Sequence, residues 1–84
     1  MTNKENLKKK IIYRSQHRGT KEMDLLLGSF VKKHINNFNE LDLEDLNQML
    51  FIDDEIISKW YFDKDDISSI PKNNVSKLLK NFKI

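Results

Sequence analysis

Tyr13-Arg14-Ser15-Gln16-His17-Arg18-Gly19-Thr20-Lys21-Glu22-Met23-Asp24-Leu25-Leu26-Leu27 carries the chain from one helical pattern into the next, and its reading decides the fold. Upstream, Leu7, Ile11, Ile12 and Ser15 mark one narrow stripe, which predicts a first helix from Lys4 to His17. Downstream, Met23, Leu26, Leu27, Phe30, Val31 and His34 recur at three- and four-residue spacing. A second, more apolar helix is therefore expected from Thr20 to Asn36, at the centre of the core. Gly19, one of only 2 glycines, stands between the two. A helix-to-helix corner favours glycine because a residue without a side-chain carbon reaches positive φ cheaply and lets another surface come close. That need explains the glycine. It does not explain the charges set round it at Arg18 and Glu22.

Beyond the second helix, Asn36-Asn37-Phe38-Asn39 breaks the pattern. Asp42 is expected to cap a third helix, with Leu41 and Leu46 at the positions of a hydrophobic staple and Leu46, Met49 and Leu50 as its core face, ending near Ile52. Asp53-Asp54-Glu55 places acids where a helix N-terminus favours negative charge, and Ile56, Ile57, Trp60 and Tyr61 supply the apolar face of a fourth helix. Asp63-Lys64-Asp65-Asp66 ends it. After Ser68-Ser69-Ile70-Pro71, the residues Val75, Leu78, Leu79 and Phe82 form the stripe of a fifth. No segment alternates long enough to argue for a strand, and no repeat or linker is visible. The fold class is all-α: a small bundle of about five helices in a single domain over residues 1–84. The only tryptophan, Trp60, is expected to close the core over the second helix.

Composition narrows the function. Without cysteine there is no disulfide framework and no thiolate metal site, and a reducing compartment is the natural expectation. A formal charge of +2 with 33% charged residues describes a mixed surface, which argues against a nucleic-acid partner. Lys8-Lys9-Lys10 reads as a solvated helix face. No apolar stretch approaches the roughly 20 residues that span a bilayer, and Met1-Thr2-Asn3-Lys4-Glu5-Asn6 lacks an apolar signal core. No membrane insertion and no secretion are expected. His17 and His34 show no metal-ligand spacing; His34 reads as a packed residue and His17 as a surface corner residue. Asp42, Glu44, Asp45, Asp53 and Asp54 read as caps and solvated faces. No catalytic, cofactor-binding or metal residue is expected, and the protein is not read as an enzyme. By spacing alone, Arg18-Gly19-x-x-Glu22 also fits a helix end, a glycine turn and an acid that only favours a helix dipole.

Arg14-Ser15-x-His17-Arg18-Gly19-Thr20-Lys21-Glu22-Met23-Asp24-Leu25-Leu26-Leu27-Gly28 resembles the signature of the succinate dehydrogenase flavinylation (assembly) factor family, whose core motif is Arg-Gly-x-x-Glu. The likeness continues through Leu41-Asp42-Leu43-Glu44-Asp45-Leu46, Leu50, and Asp53-Asp54 ahead of Trp60, covering about Leu7 to Tyr61. Thr20 departs from the family, where methionine is common. The resemblance implies a five-helix assembly factor that binds the flavoprotein subunit of succinate dehydrogenase and promotes covalent attachment of FAD to a histidine of that subunit. The related fumarate reductase flavoprotein is a second expected client. It further implies that Arg14, His17, Arg18, Gly19 and Glu22 form the partner-binding site, that the FAD belongs to the client, and that the factor orients the reactants. Bacterial cytoplasm is the expected compartment, favoured by the missing Arg/Ser-rich presequence, with the mitochondrial matrix as alternative. Two rival readings remain: a generic helical interaction module, and a small nucleic-acid-binding bundle using Lys8, Lys9, Lys10 and Arg14.

Overall fold

A computed structural model describes residues 3–83. Five helices follow one another: α1 (Asn3–Gln16), α2 (Lys21–His34), α3 (Glu40–Met49), α4 (Asp54–Phe62) and α5 (Asn74–Asn81), with no strand among the described residues. The all-α expectation holds because each helix has one apolar stripe to bury against the others. Ile11, Leu26, Leu27, Phe30, Leu43, Leu46, Ile57, Val75 and Leu79 all have no exposed surface and belong to one cluster. All five helices contribute to it, and α2 contributes five buried residues: Met23, Leu26, Leu27, Phe30 and Val31. The central position expected for α2 follows from that stripe.

Local chemistry sets the boundaries. Thr20 does not begin α2 but caps it, its Oγ1 accepting the Met23 N–H at 3.2 Å. The cap of α3 lies earlier than the sequence suggested. Asn39, not Asp42, holds the capping position, and its Oδ1 accepts the N–H of Asp42 at 2.8 Å. The three-residue shift moves the staple positions to Phe38 and Leu43, both buried, and turns Leu41 out to solvent at 66% exposure. Leu43 therefore joins the core face that Leu46, Met49 and Leu50 were expected to make. At α5, Asn73 and Ser76 form a reciprocal capping box, with Asn73 N–H to Ser76 Oγ at 3.0 Å and Ser76 N–H to Asn73 Oδ1 at 2.9 Å. Past the end of α4, Lys64 takes a φ of 58°, and the next N–H, of Asp65, returns to the Lys59 carbonyl at 3.3 Å.

Trp60 is buried, as expected, and α5 covers it. The Lys80 ammonium lies 4.6 Å from the ring centroid and donates to the Trp60 carbonyl at 3.1 Å. Tyr61 Oη donates to the Phe82 carbonyl, fastening α4 to the residue that follows α5. Among the described residues, no buried side-chain nitrogen or oxygen lacks a hydrogen-bond partner. No helix among them is long and apolar enough to cross a membrane.

Candidate functional site

Arg18 sits in the short link between α1 and α2, and its guanidinium reaches across to the link between α3 and α4. Nη1 donates to the Leu50 carbonyl at 2.6 Å and Nη2 to the Ile52 carbonyl at 3.0 Å. Nε and Nη2 both meet Asp54 Oδ1 at 2.6 Å. The other oxygen of that carboxylate, Oδ2, accepts the N–H of Gly19 at 2.6 Å. The backbone N–H of Arg18 is held in turn by Asp24 Oδ1, also at 2.6 Å. One planar fork and Asp54 thus tie the two links together, and Asp24 of α2 braces the first of them. Arginine suits the position because its rigid donor geometry satisfies a carboxylate and two carbonyls at once, which a lysine ammonium on a flexible stem cannot reproduce.

The geometry changes what two motif residues do. Arg18, expected as part of the partner-binding site, turns its fork to acceptors of its own chain, and its side chain is only 9% exposed. Gly19, expected to supply positive φ, does not: no glycine among the described residues has it. Gly19 instead answers a close approach. A Cβ built there would stand 3.1 Å from Asp54 Oδ2, so any side chain presses on the carboxylate that receives the Gly19 N–H. Asp54 is likewise more than a helix-start acid. Its charge favours the α4 N-terminus and neutralises Arg18 together.

The remaining expected site residues surround this lock at the surface. Arg14 donates from Nη1 to Asn47 Oδ1 at 2.6 Å, with its guanidinium carbon 4.4 Å from the centroid of the Phe51 ring. His17 stacks on Tyr13 at 3.9 Å between ring centroids, and its Nδ1 lies 2.7 Å from the Tyr13 carbonyl. Glu22 is exposed on the first turn of α2. Two depressions flank Gly19. One, of about 360 Å³, is lined by Tyr13, Arg14, His17, Arg18, Gly19 and Phe51 among others. The other, of about 510 Å³, is lined by Thr20, Glu22, Met23, Glu55, Ser58 and Phe62 together with Asp54. The structure therefore brings Arg14, His17, Arg18 and Gly19 to one depression and sets Glu22 in its neighbour.

His34 is elsewhere, packed as expected, its ring 4.7 Å from Phe30 and 5.5 Å from Phe38 between centroids. Burial, and then the adjacent Lys33 charge, hold its imidazole below the ordinary histidine range.

The chain matches the family described as flavinator of succinate dehydrogenase over residues 9–83. It belongs to that family. It is 38% identical to succinate dehydrogenase assembly factor 2, mitochondrial, of Dictyostelium discoideum over 77 residues, covering 92% of this chain and 55% of that protein. The protein of the same name in Scheffersomyces stipitis is 39% identical over 72 residues, covering 84% and 48%. A bacterial relative, FAD assembly factor SdhE of Acetobacter pasteurianus, is 31% identical over 55 residues, covering 66% and 50%. The chain spans about half the length of the curated relatives it matches. No solved structure matches it.

For this flavinator-family chain, sequence reasoning missed Tyr13, Asp24, Asn47, Asp54 and Phe51 as parts of the corner. Asp24 and Asp54 each had a sufficient local explanation as first-turn acids. Nothing in their spacing announces Arg18 or Gly19 as partners, 36 and 35 residues away in the case of Asp54. Tyr13 and Phe51 carried a weak signal: large rings exposed at 63% and 62%, the first off the apolar stripe of α1 and the second in the link after α3.

Proposed function

We propose that this chain is an assembly factor that binds the flavoprotein subunit of succinate dehydrogenase and promotes covalent FAD attachment to it. The observation that carries the reading is the corner at Gly19 in a chain of this family. Its ionic groups Arg18, Asp24 and Asp54 are engaged in holding shape, while Tyr13, His17 and Glu22 remain exposed beside it. A rigid corner with a mixed polar and aromatic rim suits the orientation of a client better than proton or group transfer by the factor itself. In this reading the factor is not an enzyme, the FAD is the client's, and the chemistry joins the client's histidine to the client's flavin. The partner-binding residues are Arg14, His17, Gly19 and Glu22 by contact and Arg18 through the shape it imposes. The related fumarate reductase flavoprotein is a second client. The compartment is the one in which the client acquires its flavin. The mitochondrial names of the Dictyostelium and Scheffersomyces relatives favour the matrix, and the Acetobacter relative keeps the bacterial cytoplasm as the other setting.

The test is complementation. Cells lacking their own flavinylation factor receive this chain, and covalent flavin on the flavoprotein subunit is read by in-gel fluorescence. Restored fluorescence is expected. Glu22→Gln should restore little of it while melting like the wild type, because a first-turn acid contributes only about 0.3 to 1 kcal/mol to its helix. Absence of covalent flavin with the wild-type chain, expressed and folded beside its cognate flavoprotein, refutes the reading.

A further inference from the structure

The two carbonyls that Arg18 grips belong to Leu50 and Ile52, the residues on either side of Phe51. Leu50 is buried and Phe51 is 62% exposed, so fixing both flanking carbonyls fixes where that ring stands at the surface. Asp54, pairing with Arg18, anchors the far end of the same short link. From the α1 side, Arg14 lies against one face of the Phe51 ring and is steadied by Asn47 of α3. Tyr13, stacked on His17, lines the same depression. Beyond it, Lys9, Lys10, Tyr13 and Arg14 line a further groove of about 360 Å³. An exposed phenylalanine and tyrosine with an arginine beside them have the composition of an interface hot spot; Asp53 adds an exposed acid at the Phe51 end, while the charges of the groove beyond Tyr13, on Lys9, Lys10 and Arg14, are all cationic.

We infer that Phe51 and Tyr13 are the anchors by which this chain grips its partner, and that Arg18 is a positioning residue acting through Phe51. The occupant is a segment of the flavoprotein subunit that carries an apolar side chain to lie against the two rings and a carboxylate to face Arg14 and Lys10. This inference rests on the proposed function and deepens it by assigning the contact to residues outside the Arg-Gly-x-x-Glu motif. Arg14 has one of its five donors on Asn47, and a charge-assisted bond to an incoming carboxylate uses the rest of its fork.

The experiment is a double-mutant cycle on the full chain, with the purified cognate flavoprotein subunit as the binding probe. Phe51→Ala should weaken binding about tenfold or more with an unchanged melting temperature, as truncating an exposed hot-spot ring does. Arg18→Gln should weaken it too and speed amide exchange at residues 51–54. The double variant should bind no worse than the weaker single, because both changes remove one presented ring. Lys10→Glu should lower the affinity most at low salt. Phe51→Ala binding within about twofold of wild type, or additive losses in the double variant, overturns the inference. If the wild type itself fails to bind, the proposed function falls and the docking assignment with it. Amide exchange in Arg18→Gln alone then still decides whether Arg18 holds the 50–54 link.

Discussion

Asp54→Ala is the perturbation that tests the corner most directly. It removes the acceptor of Arg18 Nε and Nη2, at 2.6 Å each, and of the Gly19 N–H, also at 2.6 Å. Arg18 keeps the Leu50 and Ile52 carbonyls but loses its counter-charge while its side chain is only 9% exposed. Breaking a fully buried pair by deleting one partner costs about 3 to 5 kcal/mol. Asp54 is 21% exposed, so water can reach the space it leaves and partly rehydrate Arg18. A loss of about 2 to 3 kcal/mol follows, comparable with one or two hydrogen bonds to a charged group. Against a total stability of roughly 4 to 12 kcal/mol for a domain of this length, that is a large fraction. The melting temperature should fall by roughly 10 to 20 °C. Urea titration followed by far-UV circular dichroism measures the loss. Asp54→Asn should lose less, since an amide oxygen can still accept the Gly19 N–H. The exposed Glu55–Lys59 pair, at 3.4 Å with 80% and 55% side-chain exposure, is the internal control. Glu55→Gln should change stability by no more than about 0.5 kcal/mol. If Asp54→Ala is no more destabilising than Glu55→Gln, the lock does not hold the corner and the reasoning built on Arg18 fails.

Trp60→Ala should cost roughly 3 to 5 kcal/mol, because the ring is 7% exposed and its loss also removes the seat of the Lys80 ammonium. Equilibrium unfolding measures it, and unchanged stability would contradict the packing. Gly28→Ala should stabilise α2 by about 0.5 to 1 kcal/mol: it lies inside the helix, and a Cβ there would meet the Ser15 carbonyl at an ordinary 3.9 Å. A lowered melting temperature would show that α1 and α2 meet more tightly than this. His34, held below its ordinary range by burial and by Lys33, binds its proton more weakly folded than unfolded. Stability should therefore fall as pH drops below about 6.5, until the folded imidazole is itself protonated. His34→Gln should flatten that part of the pH–stability curve, and an identical curve would refute the assignment.

Helix existence was legible because it is a local matter. The three- and four-residue spacing of Met23, Leu26, Leu27, Phe30 and Val31 commits α2 to one buried face whatever it packs against. The same holds for Val75 and Leu79 of α5. The caps were half legible. Asn39 and Asp42 are both acceptable capping residues, and propensity alone does not rank them. Burial of Phe38 and Leu43 did, by making the earlier start the one that hides two large side chains. The motif itself was legible as a run of residues, while the jobs of its members were not.

By itself, then, the sequence determined five amphipathic segments, a corner at Gly19 and membership signals in Arg18-Gly19-x-x-Glu22. Only the tertiary structure decided that Arg18 turns inward, that Gly19 is small to make room for Asp54, and that Phe51 and Tyr13 stand at the rim. The physical reason is separation along the chain. A hydrophobic period is written within a few turns of helix, whereas the bond from Arg18 to Asp54 joins residues 36 positions apart. It forms only after the packing of the helices has brought the two links together, and no local propensity encodes that meeting.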